Sequence, residues 1–535
     1  MTDNKFETKP ETSASTPNTT QVFAVHGADP EVLAYAMAKY SRSAISMRDS
    51  LREISSQRAE QFLNTFYFQY GHRSIADLAH VAFAIERLSL LAAIELLDEQ
   101  RWDGQERSTR YQDFRKSGWY RPDLSADPAA EKLYSATIEK LFADYQSISA
   151  RVLDALKERV PQPPAGHPDE MKEDAWLRTL KARAFDVARY LLPLATNTSL
   201  GQIVNARTLE QQIARLLGSQ FKEVRDLGEK LREAASAPAW NVQGEAMAEL
   251  QQKIKALDPA LAEESAKLLT REVHVSPTLV KYTTPSEYLR DTNLELRQAA
   301  FELFGREPIA EAPLVDLVER TETLEVELAA TLLYAASHHS YRQVRDIVAD
   351  LPEQQVAEII DLGLRHRGRH DELLRQFHAG AALRFDILMD IGGFRDMHRH
   401  RRCTQILQSY TTLHGYQVPE HGDLAGVSDA GVLNDYRAAL DAAHAASRVI
   451  AASSAPEAAA SANYLLPLAT RHRALFKMDY AEALYISELR SAPAGHFSYR
   501  EVAWEMFRAL EHQHPTLAKY IRVTDYSRPV DILKR

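Results

Sequence analysis

Seven residues, Tyr190-Leu-Leu-Pro-Leu-Ala-Thr196, recur unchanged as Tyr464-Leu-Leu-Pro-Leu-Ala-Thr470, 274 positions later in a chain of 535. Low-complexity drift does not yield a heptapeptide that includes both Pro and Tyr. The repeat marks a duplication, two related domains joined head to tail. A site lost from one domain can therefore survive in the other, and the two must be read against each other.

The boundaries expected are a disordered tail over 1–20, a first copy over 21–244, a connector over 245–312 and a second copy over 313–535. The tail is rich in Thr, Ser, Asn and Pro and lacks the apolar core of a secretion signal. No run of 18 apolar residues predicts a membrane span, and the expected compartment is the cytosol. With 20 Gly and many Ala, Leu, Glu and Arg, the composition points to a helix-rich α+β fold. A net charge of −10 argues against a general nucleic-acid or membrane-surface role, so an anionic ligand needs a local basic cluster. Cys403 is the only cysteine, which excludes an intrachain disulfide and a multi-cysteine zinc site; no metal ligand is singled out.

Local signals order the chain further. Asp29-Pro30 is a cap followed by a first helical residue, and a second helical stretch covers about 48–67. An apolar run follows Ser74 as far as Leu97. Helices are predicted over about 129–159 and 174–191, with a loop over 120–128 before them. The second copy is predicted to open with a helical run from Pro313 through Ser337. Val81 to Ile85 and Leu383 to Leu388 fit either short strands or buried helix.

Arg399-His400-Arg401 is followed by seven residues and then Ser409. Two guanidinium groups beside an imidazole supply fixed donors suited to phosphate oxygens or to an electron-rich heteroaromatic ring. A solvated basic face is the plainer alternative, since the same triplet stands at 365–367 and 471–473 without that serine. Gly71-His72-Arg73-Ser74 offers a close backbone approach with two side-chain donors, or simply a helix cap. Ser108 and Arg110, two apart, face one way in an extended segment and there grip one anion; an exposed loop is the alternative. Asn205 opens a helix leading through Arg215 to Glu223-Val224-Arg225, as a donor and acceptor to a ring edge or as a cap.

In this order the motifs resemble the flavin-dependent thymidylate synthase family, met twice. The first copy resembles it over about 22–235 through Gly71-His72-Arg73-Ser74, Ser108-Thr109-Arg110-Tyr111, Ala188-Arg189 and Asn205-Ala206-Arg207. Its signature triplet is replaced by Asp98-Glu99-Gln100. The second copy resembles the family over about 322–510 and keeps Arg399-His400-Arg401 and Ser409. It loses the Ser-x-Arg-Tyr ending, and Asp479-Tyr480-Ala481 stands in place of Asn-Ala-Arg.

The resemblance implies reductive methylation of dUMP to dTMP with FAD, NADPH and methylenetetrahydrofolate. Arg399, His400 and Arg401 would contact the flavin, with His72 and Ser74 on its phosphates and Asn205 nearby. Ser409 or Ser108, with Arg110 and Arg490 or Arg215, would hold dUMP. No side chain need act as a covalent nucleophile, and Cys403 is expected to pack. Family sites are assembled between subunits, so the complementary losses imply one site composed from both copies. Two such chains would imitate a four-copy assembly. The alternative is a catalytically divergent flavin- or nucleotide-binding relative with a structural or regulatory role. A nucleic-acid-binding reading of the basic segment Arg395 to Arg402 is set against the acidity of the whole chain.

Overall fold

The two heptapeptides meet. In the computed structural model, which describes residues 25, 27–39, 51, 61, 73–114, 116–281, 283–369, 371–419, 431–529 and 531–533, they run antiparallel with Pro193 opposite Pro467. Leu194 N–H donates to Leu466 O at 2.9 Å and Leu468 N–H to Leu192 O at 3.0 Å. Ala195 N–H donates to Tyr464 O at 2.8 Å, and Ala469 N–H to Tyr190 O at 3.1 Å. Proline has no N–H to give, so two prolines face each other at the centre without leaving an unmet donor. Each copy thus hands the other the same bonds, the signature of a self-complementary contact. The repeat that marks the duplication is the seam between its copies.

Around the seam the copies unfold the same order of elements. In the first, β1 (His80–Ser89) leads to the helix Leu90–Leu97, β2 (Asp103–Glu106), the helices Pro128–Arg159 and Glu173–Ala188, a 3₁₀ turn at Arg189–Leu191 and β3 (Asn197–Asn205). The helices Ala206–Leu217 and Lys222–Ser236 close it. After a short β4 (Val315–Leu317), the helices Leu324–Ala335, Tyr341–Ala349 and Glu353–Leu364 and a 3₁₀ turn at Arg375–Phe377, the second copy runs β5 (Leu383–Asp390), Ile391–Met397, β6 (Thr404–Leu407), Val432–Ala451, Ala458–Ala462, a 3₁₀ turn at Asn463–Leu465 and β7 (Arg471–Met478). It ends in Tyr480–Ser491, Phe497–Gln513 and the short Pro515–Ala518. The sheets are antiparallel, ordered β1-β3-β2 and β4-β5-β7-β6. The chain is a helix-rich α+β protein of two tandem copies.

Sequence chemistry explains the main elements. Asp127 caps the long helix Pro128–Arg159 by accepting from Ala129 and Ala130 N–H, with Pro128 in the first turn. Tyr134, Ile138, Leu141, Tyr145, Ile148 and Val152 recur three or four apart and form its buried stripe. That stripe faces the second copy's Val432–Ala451, which buries Tyr436, Leu440, Ala443 and Ile450. At about 1.5–3 kcal/mol for each large apolar side chain, this pairing is a principal tie between the copies. One apolar core runs through both, from Val81 and Leu91 to Met389 and Phe476.

The strand reading of Val81 to Ile85 and of Leu383 to Leu388 is the one the structure takes. The apolar run to Leu97 divides at Ser89, whose hydroxyl accepts from Ala92 N–H and starts a helix. The helical run expected from Pro313 begins only at Leu324, where Thr323 caps it. Val315–Leu317 lies before it as an edge strand on β5, a state set by its neighbour rather than by local preference. Between the copies lie the helices Gly244–Leu257, Pro259–Leu269 and Glu287–Phe304. The last packs Tyr288, Leu296 and Phe304 against Leu332, Tyr334 and Val344 of the second copy. The tail over 1–20 and nearly all of the helix expected over 48–67 lie outside the described residues.

Candidate functional site

Asp390 ends β5 and caps the helix Ile391–Met397 by accepting from Gly393 N–H at 2.6 Å. Gly392 is required there: a Cβ would stand 2.6 Å from Cε1 of Tyr190 in the other copy. The helix is short, closed by His398 N–H on Phe394 O, and the chain turns through Arg399-His400-Arg401 into β6. Arg399 is exposed, with no hydrogen bond or ion pair among the described residues. His400 is buried; its Nε2 accepts from Arg490 Nε at 2.8 Å, and its Nδ1 lies 3.3 Å from Glu482 Oε1. Burial, with Arg490 beside it, pushes the imidazole down to about 3. It is neutral at pH 7, and because Arg490 is the donor, its proton sits on Nδ1 towards Glu482. Cys403 is buried with its thiol on His400 O and is pushed up to about 12 by burial, a packing residue and not a thiolate.

The first copy's Asp98-Glu99-Gln100 faces this turn. Asp98 pairs with Arg375 at 2.5 Å and lies 3.8 Å from His398. Burial alone would raise its pKa, but Arg375, His398 and Arg215 outweigh it and hold the carboxyl well below its usual range. Glu99 pairs with Arg215 at 2.8 Å, and its carbonyl accepts from Arg401 Nε at 3.1 Å. The acids that replaced the basic triplet thus serve as counter-charge beside the copy that kept it.

A cleft of about 90 Å³ opens between them, lined by Leu97, Trp102 and Glu106 of the first copy and Arg395, His398, Arg399 and Arg401 of the second. Arg395 pairs with Glu106 at 2.5 Å. Arg395 Nε and Arg401 Nη2 are buried there without a hydrogen-bond partner, an uncommon state that marks a place for acceptors. His398 Nε2, also without one, is the acceptor nitrogen of its ring, because Nδ1 donates to Gln405 Oε1 at 2.8 Å.

A second group gathers around Tyr499. Arg110 donates to its hydroxyl at 2.8 Å, and the guanidinium of Arg490 lies 5.6 Å from its ring centre. Arg110 also makes a two-pronged pair with Asp186 at 2.7 and 3.0 Å and donates to Ala494 O at 3.0 Å. Nearby, Arg189 is 2% exposed, bonds Thr109, and keeps Nε and Nη2 without partners 3.7 Å from Asp396.

The structure thus joins Arg399, His400, Arg401 and Arg490 from one copy with Arg110 from the other. It corrects two expectations and decides between the alternatives of a third. Ser108 and Arg110 do not share an extended face: they lie in a turn, with Arg110 N–H on Ser108 Oγ at 3.2 Å, and four guanidinium bonds commit Arg110 to protein. Arg215 is held by Glu99 rather than left for a nucleotide. Asn205 takes the cap role, its carbonyl oxygen accepting from Thr208 N–H at 2.8 Å. Ser409 is exposed beyond β6. Ser74 lies in the 3₁₀ turn Arg73–Leu78; His72 and the side chain of Ser74 lie outside the described residues. The sequence reading missed Trp102, Arg189, Arg375, Arg395 and Tyr499. Ala188-Arg189 was in view as a motif, and Arg395 stands four residues before the triplet; nothing local flagged Trp102.

The family model described as "Thymidylate synthase complementing protein" matches residues 23–239 and 316–516. The chain belongs to this family, Thy1. Both matched stretches carry the same three-strand antiparallel order, β1-β3-β2 and β5-β7-β6, and the same heptapeptide, so the Thy1 unit is present twice. A UPF0159 protein of Chlamydia muridarum is 28% identical over 93% of this chain and 91% of its own length. Another of Thermoplasma acidophilum is 25% identical over 91% and 94%. A flavin-dependent thymidylate synthase of Clostridium tetani is 23% identical over 34% of this chain and 67% of its own. A solved structure of flavin-dependent thymidylate synthase from Helicobacter pylori, complexed with FAD and dUMP, covers 39% of this chain and 89% of its own at 16% identity, with a TM-score of 0.25. Among the described residues no helix is long and apolar enough to cross a membrane.

Proposed function

We propose that this Thy1 protein is a FAD-dependent thymidylate synthase that reductively methylates dUMP to dTMP, with NADPH and methylenetetrahydrofolate as cosubstrates, at a site composed from both copies. The observation that carries the reading is the convergence of Arg110 from one copy and Arg490 from the other on Tyr499, one hydrogen bond from His400.

The chemistry of the cleft suits a flavin, and its size suits part of one. Unmet guanidinium nitrogens beside an indole fit a planar ring with acceptors on its edge, whereas whole ligands of this kind occupy about 300–1,000 Å³. Bound FAD would supply the hydride transfer that no side chain here can perform. The chain's own residues bind and orient. Arg399 and Arg401 offer donors, His400 stays neutral and fixes Arg490, and Arg189, ion-paired with Asp396, adds two N–H groups without hydrogen bonds near the first copy's Ser108-x-Arg110 loop. Arg110 holds that loop to the second copy through the Tyr499 hydroxyl and the Ala494 carbonyl, with Asp186 of its own copy as counter-charge. Covalent attack is not called for, in keeping with the protonated thiol of Cys403.

Flavin content of the purified protein and rescue of a thymidine auxotroph test the reading together. Bound FAD with rescue is expected. Bound FAD without rescue supports the second reading, a non-catalytic flavin- or nucleotide-binding relative, which the loss of the triplet at Asp98-Glu99-Gln100 favours. Absence of both sinks the two alike.

A further inference from the structure

One wall of the signature cleft comes from the copy that has no signature. Trp102 is 6% exposed, and the Arg401 guanidinium lies over its ring at 4.7 Å. The indole is held on every side. Its Nε1–H donates to Gln202 Oε1 at 2.8 Å, Gln212 Nε2 donates to that same oxygen at 3.2 Å, and Gln212 Nε2 also donates to Leu96 O at 3.0 Å. Gly104 clears its place: a Cβ there would lie 2.5 Å from the ring and 2.3 Å from Gly201 O, so any side chain must displace the indole or pry β2 from β3.

A tryptophan that only filled space would need neither this relay nor an arginine laid across it. A cation over an indole is held flat, with its edge free to donate. The free edge is observed, since Arg401 spends Nε on Glu99 O while Nη2 is buried without a partner. In-plane donors braced in this way match the carbonyl-bearing edge of a planar heterocycle better than a tetrahedral phosphate.

We propose that Trp102 is a positioning residue of the flavin site: by bracing Arg401 it sets the donors that read the edge of the cofactor's ring, so the degenerate copy takes part in binding. The proposal rests on the flavin reading above and deepens it.

The test titrates the full chain with FAD and with riboflavin, which keeps the ring and lacks the phosphates, by flavin fluorescence. Trp102→Leu is expected to weaken both ligands by roughly fivefold, the scale of a partly buried cation–π contact, and Trp102→Phe to restore binding to within about twofold. In an Arg401→Lys background Trp102→Leu should add little, because the two act as one unit. A loss confined to FAD, an unchanged Trp102→Leu, or a loss undiminished in the Arg401→Lys background overturns the proposal while leaving flavin binding intact. Wild-type protein that binds neither ligand overturns the flavin reading itself. Should Trp102→Leu fail to fold, the emission difference between wild type and Trp102→Phe isolates this indole. Riboflavin should quench that component, and its persistence at saturation overturns the proposal.

Discussion

Ser89 and Asp390 occupy the same place in the two copies and do the same work with exchanged chemistry. Each caps the helix after the first long strand, and each is tied to the second residue of the copy's last matching helix. Ser89 donates to Glu223 at 2.5 Å, whereas Asp390 accepts from Ser498. Hydroxyl and carboxylate have traded sides and the bond remains. Six residues further on (89 to 95, 390 to 396) the outcome differs. Asp396 lies 3.7 Å from Arg189, but where that arginine would stand for Glu95 the chain has Asn463; the Glu95 carbonyl accepts from Arg215 at 2.8 Å, but its carboxylate makes no hydrogen bond or ion pair among the described residues. Burial pushes Glu95 up to about 7, Arg215 opposing and Asp98 adding. Nine residues after the cap the triplet has changed sign outright. Where both partners belong to the protein, a change on one side is met by a change on the other. At the triplet too the new acids are answered from within the chain, Asp98 by Arg375 and Glu99 by Arg215.

The largest expected contrast is at the Ser-x-Arg position. Arg110→Ala leaves Asp186 buried and unpaired and should cost about 3–5 kcal/mol, while Thr411→Ala, at the matching position, should stay within about 0.5 kcal/mol. Urea unfolding measures both, and equal losses would break the comparison. Acid comes next. His414 and His444 are pushed down to about 4, and His400 and His472 to about 3, by burial first in each case. All four lie in the second copy. The unfolded chain binds these protons near pH 6.5 and the folded one does not, so stability is present above 6.5 and lost as pH falls towards 4. Hydrogen exchange at pH 5, corrected for intrinsic rates, should open β5 and β7 before β1 and β3; the reverse order would refute the assignment.

Glu95 acts in the opposite direction. Its folded pKa is raised, so its contribution is full below pH 4.5 and fades as pH rises through about 7. Melting temperatures of wild type and Glu95→Gln should therefore diverge in the variant's favour between pH 5 and 8, and parallel curves would show that the carboxyl is solvated after all. The smallest contrast is between serines. Ser108→Ala loses a turn bond worth about 0.5–1.5 kcal/mol, whereas exposed Ser409→Ala should change stability by less than about 0.5 kcal/mol.

Much of this architecture was legible from residue patterns because its causes are local. Asp127-Pro128 and the Tyr134 stripe dictate a long helix whatever surrounds them, and aligning Asn205 with Asp479 found two helix caps at equivalent places. What escaped notice depends on distant partners. Val315–Leu317 is a strand only because β5 lies beside it. Arg110 could be recognised as a cation, but its engagement with Asp186, 76 positions away, could not. Asp98-Glu99-Gln100 read as a loss, and only Arg375 and Arg215 reveal it as a structural gain. The seam left no mark beyond identity itself, because its bonds are made by backbone atoms that every residue carries.

That seam changes what a mutation does. In a dimer of identical subunits, any substitution at a two-fold contact strikes twice, once from each side, and a tolerable flaw is doubled. Joined in one chain, Tyr190 and Tyr464 are separate loci that can be altered one at a time. The connector also makes their meeting a first-order event, with a local concentration on the order of millimolar whatever the cell's supply of protein. The contact is therefore insensitive to dilution and free to become asymmetric, and those two freedoms are what allow one Thy1 copy to keep the arginines while its twin becomes their mount.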